Sequence, residues 1–153
     1  MRLENEFSLP LSPASVWDAI LADIEGVVAC IPGAELVEIL GPTRWAGVLS
    51  AKMGPISLRF SGNVEVKELD PGERRLILSA GGEETRGRGT AKVVVTLVAE
   101  SDGRDGSTVK MASDVTLTGR VAQLSRGILP KVARDLTASF AKCLSERLDE
   151  GVS

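Results

Sequence analysis

The chain has 153 residues, 43% of them hydrophobic and 25% charged, with a formal net charge of −3. That length suits one domain around one core, no apolar run approaches the ~20 residues of a membrane-spanning helix, and the acidic balance argues against a nucleic-acid partner. Histidine and tyrosine are both absent, which removes the commonest metal ligand, the commonest general base and every Ser-His or Cys-His nucleophile pair.

Residues Leu3 to Leu9 alternate apolar and polar side chains and read as a half-buried strand, not as a secretory leader, so a cytoplasmic location is the expectation. Ser12-Pro13 then starts a helix, with Ser12 as N-cap and Pro13 at the first helical position, where a missing N–H costs nothing. Val16, Trp17, Ile20 and Leu21 give it one apolar face, and Gly26 is expected to end it or split it into two short pieces. The second piece carries the apolar run Val27 to Ile31, closed by Pro32-Gly33. Two cysteines, Cys30 and Cys143, are too distant for a CxxC unit and too few for a metal framework, and they read as reduced thiols.

From Ala34 to Gly119 the pattern becomes one of strands and turns. The clearest period of two runs through Ile56, Leu58, Phe60, Gly62, Val64 and Val66, with Ser57, Arg59, Ser61, Asn63, Glu65 and Lys67 on the other face. Weaker alternation marks Trp45 to Met53, Leu76 to Ala80 and Val109 to Leu117. Turn chemistry lies at Gly41-Pro42, Gly54-Pro55, Asp70-Pro71-Gly72, Gly81-Gly82 and Asp102 to Gly106, a spacing that suits a meander of hairpins.

The last element, about Val121 to Leu148, repeats apolar residues at Leu124, Ile128, Val132, Leu136, Phe140 and Leu144, the mark of an amphipathic helix. Steps of four overshoot a helical turn by about 40°, so the stripe drifts around a straight helix, and Pro130 predicts a kink or break near Gly127. Residues 120–150 hold six basic and four acidic side chains, a solvated helix face or a weak contact for anionic lipid or an acidic partner.

These elements predict an α+β helix-grip fold over residues 1–150, with 151–153 a short tail. A curved antiparallel sheet of about seven strands wraps a long C-terminal helix, with one or two short helices after the first strand. Such a grip leaves a space between sheet and helix. Its candidate lining is Trp17, Cys30, Ile31, Trp45, Leu49, Met53, Phe60, Leu78, Met111, Ile128 and Phe140, although each of these types is more often plain core. Val27 to Pro32 is either a core plug or part of the cavity rim.

The segments Ala29-Cys30-Ile31-Pro32-Gly33, Gly54-Pro55-Ile56-Ser57-Leu58-Arg59-Phe60-Ser61-Gly62, Gly89-Thr90-Ala91-Lys92-Val93 and Gly119-Arg120-Val121-Ala122-Gln123-Leu124 resemble the CoxG-like family of carbon monoxide dehydrogenase subunits. The likeness spans nearly the whole chain and implies the START-like, Bet v 1-related (SRPBCC) superfamily, whose members hold apolar or amphipathic small molecules. It implies a non-catalytic accessory protein of a molybdenum hydroxylase of the carbon monoxide dehydrogenase type. Such a protein would bind a lipid or quinone, or help recruit the enzyme to the inner face of the cytoplasmic membrane. No cofactor of its own is expected, because the hydroxylase's molybdopterin, flavin and iron–sulfur centres reside in other subunits and this chain has no ligand set for them.

Two alternatives stand beside that reading. One is an enzyme like the polyketide cyclases and lyases of the same superfamily, with Glu38, Lys52, Glu65, Lys92 or Asp114 as acid and base, although most of these alternate with core-facing residues and so read as solvated charge. The other is a docking module without a ligand, which a cavity too small for more than waters would favour.

Overall fold

The structure, a computed structural model, describes the backbone of residues 1–152 and the side chains of residues 1–148; Ser153, the end of the expected tail, lies outside the described residues. In chain order the elements are β1 (Arg2–Leu9), α1 (Pro13–Ala22), α2 (Ile24–Ala29), β2 (Ala34–Gly41), β3 (Arg44–Met53), β4 (Ile56–Asp70), β5 (Arg75–Glu84), β6 (Thr90–Ser101), β7 (Ser107–Leu117), α3 (Gly119–Leu124) and α4 (Leu129–Val152). The seven strands form one open antiparallel sheet in the order β1-β7-β6-β5-β4-β3-β2, so β2 to β7 is the expected meander and β1 pairs with β7. This is the predicted helix-grip arrangement.

Local chemistry explains where the helices start and stop. Ser12 caps α1 by accepting the Ser15 N–H at 3.2 Å, with Pro13 at the first helical position. The break between α1 and α2 falls at Asp23, three residues before the expected Gly26. Asp23 closes α1 and caps α2 by accepting the Gly26 N–H at 3.0 Å. Gly26 lies inside α2, buried, where a Cβ would collide with the Asp23 carboxylate and the Arg147 guanidinium.

The long terminal helix expected from Val121 is two helices, α3 and α4, joined by residues 125–128 with Gly127 at φ +81°. Pro130 therefore kinks nothing. It occupies the first turn of α4, where its N–H would have no helical partner. The drifting stripe has a second outcome: Leu136 is 38% exposed, and Thr137, one position further round, is buried and donates its hydroxyl to the Ala133 carbonyl at 2.8 Å. The inward line on α4 is thus Thr137, Phe140, Leu144 and Leu148.

Another correction concerns Gly81-Gly82, expected as a turn. β5 runs straight through the pair to Glu84, and the chain reverses at Thr85–Gly89, where Gly87 and Gly89 take φ of +75° and +137°. Gly82 is needed for close approach. A Cβ on Gly82 would stand 2.7 Å from the Ser61 carbonyl oxygen of β4.

Cys30 and Cys143 form a disulfide, with Cα atoms 5.5 Å apart and a sequence separation of 113. The expectation of two reduced thiols is thus corrected: Cys30 ends α2 and Cys143 lies on α4, and the fold brings the two helices together. A cross-link over so long a loop removes much of the unfolded chain's freedom. The double variant C30S/C143S is expected to lose about 3–5 kcal/mol of stability. Chemical denaturation without reductant checks this, and a wild-type midpoint indifferent to dithiothreitol would contradict it.

Candidate functional site

Buried apolar side chains fall into two clusters. The larger gathers Trp17, Ile20, Val28, Trp45, Leu76, Leu78, Phe140 and Leu144 among others; the smaller contains Met53, Leu58, Phe60 and Val121. Strand register shows what lies between. Leu36 of β2 faces Gly47 of β3, Gly47 faces Gly62 of β4, Gly62 faces Gly82 of β5, and Gly82 faces Ala91 of β6. Three neighbouring strands therefore carry no side chain in one row across the concave face.

Above that row is a hollow of about 80 Å³ lined by Ile31, Leu36, Leu49, Phe60, Val64, Ala91 and Val93, with the glycine backbones as its floor. Leu36, Val64 and Ile31 belong to the packing of the larger cluster, and Leu49, Phe60 and Ala91 to that of the smaller. The α4 helix bridges both, placing Leu129 and Val132 against the smaller cluster and Phe140, Leu144 and Leu148 in the larger.

Of the eleven residues predicted to line a cavity, Ile31, Leu49 and Phe60 face this hollow. Trp17, Cys30, Trp45, Leu78 and Phe140 instead fill the larger cluster, with Met111 packed on it; Met53 lies in the smaller cluster and Ile128 against it. Cys30 offers no thiol, being bonded to Cys143. The run Val27 to Pro32 divides between both expected roles: Val27 and Val28 plug the core, and Ile31 reaches the hollow.

The five candidate acid–base residues do not line the hollow. Glu38, Lys52, Lys92 and Asp114 are exposed, Asp114 bound to Arg2 at 3.1 Å, and Glu65 pairs with Lys67 at 3.0 Å. Among the described residues the buried carboxylate is Glu84, at 3% exposure, which looks in sequence like half of an ordinary surface Glu83-Glu84 pair. Its Oε1 accepts from the Arg88 Nε at 2.9 Å and from the backbone N–H groups of Arg86 and Arg88, and its Oε2 accepts from the Arg88 Nη2 at 3.2 Å.

The Arg88 guanidinium, helped by those N–H groups and opposed by burial, holds the Glu84 carboxyl at about 2 instead of the usual 4.5. So weak a base, with its lone pairs already engaged, organises the β5–β6 turn and is poorly suited to taking a substrate proton. Because its pKa is lower in the folded chain, its stabilising effect is complete above about pH 5 and fades as pH falls through 4.5 towards 2. Wild type is expected to exceed E84Q in unfolding free energy by a constant margin above about pH 5, and the two should converge towards pH 2. A gap unchanged across that acid range, measured by urea denaturation, would refute the assignment.

The fold is the Bet v 1-like helix grip. A conserved protein from Geobacillus kaustophilus superposes with a TM-score of 0.81 at 19% identity, covering 98% of this chain and 96% of that one. Norcoclaurine synthase from Thalictrum flavum gives 0.67 at 16% identity, and an aromatase/cyclase from a Streptomyces species 0.65 at 13%, each over 100% of this chain and 96% of the other. None of the curated proteins matches the sequence significantly. Residues 6–149 match the CoxG family of carbon monoxide dehydrogenase subunits, and the chain belongs to that family.

Proposed function

We propose that the chain is a non-catalytic accessory protein that takes a lipophilic small molecule, a lipid or quinone, into the hollow between its two core clusters and serves a molybdenum hydroxylase of the carbon monoxide dehydrogenase type. One observation carries the reading. An apolar hollow on a floor of three glycines is kept free of side chains in the middle of a sheet that elsewhere packs tightly. The family membership supports the hydroxylase as partner.

Size sets a condition on this function. Pockets for small organic ligands span roughly 300–1,000 Å³, and the hollow is about 80 Å³. A lipid or quinone therefore enters only if the clusters part, and the element that spans both clusters is α4, joined to α3 by the 125–128 turn. The same small volume favours a second reading, a docking module that meets its partner without a ligand.

No helix among the described residues is long and apolar enough to cross a membrane. A disulfide persists in oxidising compartments and is uncommon in a reducing cytoplasm, so a place at the inner face of the cytoplasmic membrane requires that the Cys30–Cys143 pair resist or cycle through reduction.

Native mass spectrometry of the intact protein after gentle extraction tests the proposal. The ligand-binding reading predicts a retained lipophilic molecule, released on unfolding, and co-purification of hydroxylase subunits. Co-purification with an empty protein supports the docking module instead, and neither ligand nor hydroxylase would contradict both.

A further inference from the structure

At one end of the sheet the β3–β4 hairpin extends past the end of β5, and the 85–89 turn folds beside it. Between them is a second, larger cleft of about 570 Å³, whose lining includes Lys52, Arg59, Arg86 and Arg88, with Glu84 as its one carboxylate among the described residues. Backbone bonds hold these cations together. The Thr85 N–H donates to the Arg59 carbonyl at 2.8 Å, and Arg88 Nη2 donates to the Ser57 carbonyl at 3.0 Å. On β3 and β4, Lys52 stands opposite Ser57 and Ser50 opposite Arg59.

The charges in this cleft do not balance. Glu84 is fully engaged by Arg88 and the turn's N–H groups, and among the described residues no carboxylate lies within 4.0 Å of Lys52, Arg59 or Arg86. Three uncompensated cations thus share one concave site on a chain whose formal net charge is −3. Like charges gathered in a cleft repel one another, and the arrangement is relieved by an anion that they hold in common. Guanidinium groups match the oxygens of a phosphate in bidentate fashion, and Ser50, Ser57 and Thr85 add hydroxyl donors at the same place.

We propose that this cleft binds a phosphate group, independently of the apolar hollow, with Arg59 and Arg86 gripping its oxygens, Lys52 adding the third charge, and the Glu84–Arg88 pair fixing the turn that presents Arg86. The phosphate belongs either to a small phosphorylated solute or to a lipid headgroup. Nucleic acid fits less well, because the cations are confined to one cleft and no stacking aromatic lines it.

The test titrates 15N-labelled full chain with inorganic phosphate at constant ionic strength and follows the amide resonances. Saturable shifts are expected at residues 50–59 and 84–88. In R59Q/R86Q the dissociation constant should rise about tenfold or more, whereas R134Q, an exposed basic position on α4, should bind as wild type does. All replaced side chains are exposed, and an unchanged unfolding midpoint confirms that the variants fold. Non-saturating drift, or saturation unaltered in R59Q/R86Q, would overturn the proposal. Sedimentation with phosphatidylcholine vesicles, with and without phosphatidylglycerol, then separates the sources. Retention that needs phosphatidylglycerol and is lost in R59Q/R86Q assigns the site to a headgroup; phosphate binding without vesicle retention assigns it to a solute.

Discussion

Three adjacent strands cross the middle of the concave face at Gly47, Gly62 and Gly82, and the interior is arranged around that bare row. A side chain there is excluded by the backbone itself: a Cβ on Gly62 would stand 2.6 Å from the Gly82 Cα. Because the row supplies no side chains, apolar packing cannot continue across it. The core divides into two clusters with the hollow between them. What unites the two halves is α4, pressed against both and tied to α2 by the Cys30–Cys143 bond. A hollow between packed clusters forfeits contacts that a continuous core would make.

Much of this is legible in the sequence. Period-two alternation in β4 and the turn residues at Gly54-Pro55 and Asp70-Pro71-Gly72 place strands and hairpins, because those patterns are dictated locally. The break near Gly127 follows from Pro130 and the drifting stripe, although the proline begins a helix and does not bend one. Gly81-Gly82 misleads for a physical reason. Glycine serves both chain reversal and close strand approach, and only the paired strand, with Gly62 opposite Gly82, reveals which is required.

The site is less legible because it depends on contacts distant in sequence. A residue that lines a hollow and one that fills a core share the same apolar character and the same face: Leu49 and Phe60 reach the hollow, while Trp45 and Leu78 are buried in packing. The disulfide joins positions separated by 113 residues, a proximity that α2 and α4 create only after folding. Glu84 reads as surface charge until the β5–β6 turn closes Arg88 over it. The four-residue interval between them is a helical spacing, yet here it serves a turn.

Xenon binding reports most directly on the divided core, since an apolar hollow takes up the gas and a continuous, well-packed core does not. With methyl-labelled protein under xenon pressure, saturable shifts are predicted for Leu36, Leu49, Val64 and Val93 around the hollow, with little change at Leu76 and Leu144. Shifts confined to the larger cluster, or none at the hollow, would show that the glycine row is covered and that the two clusters are one.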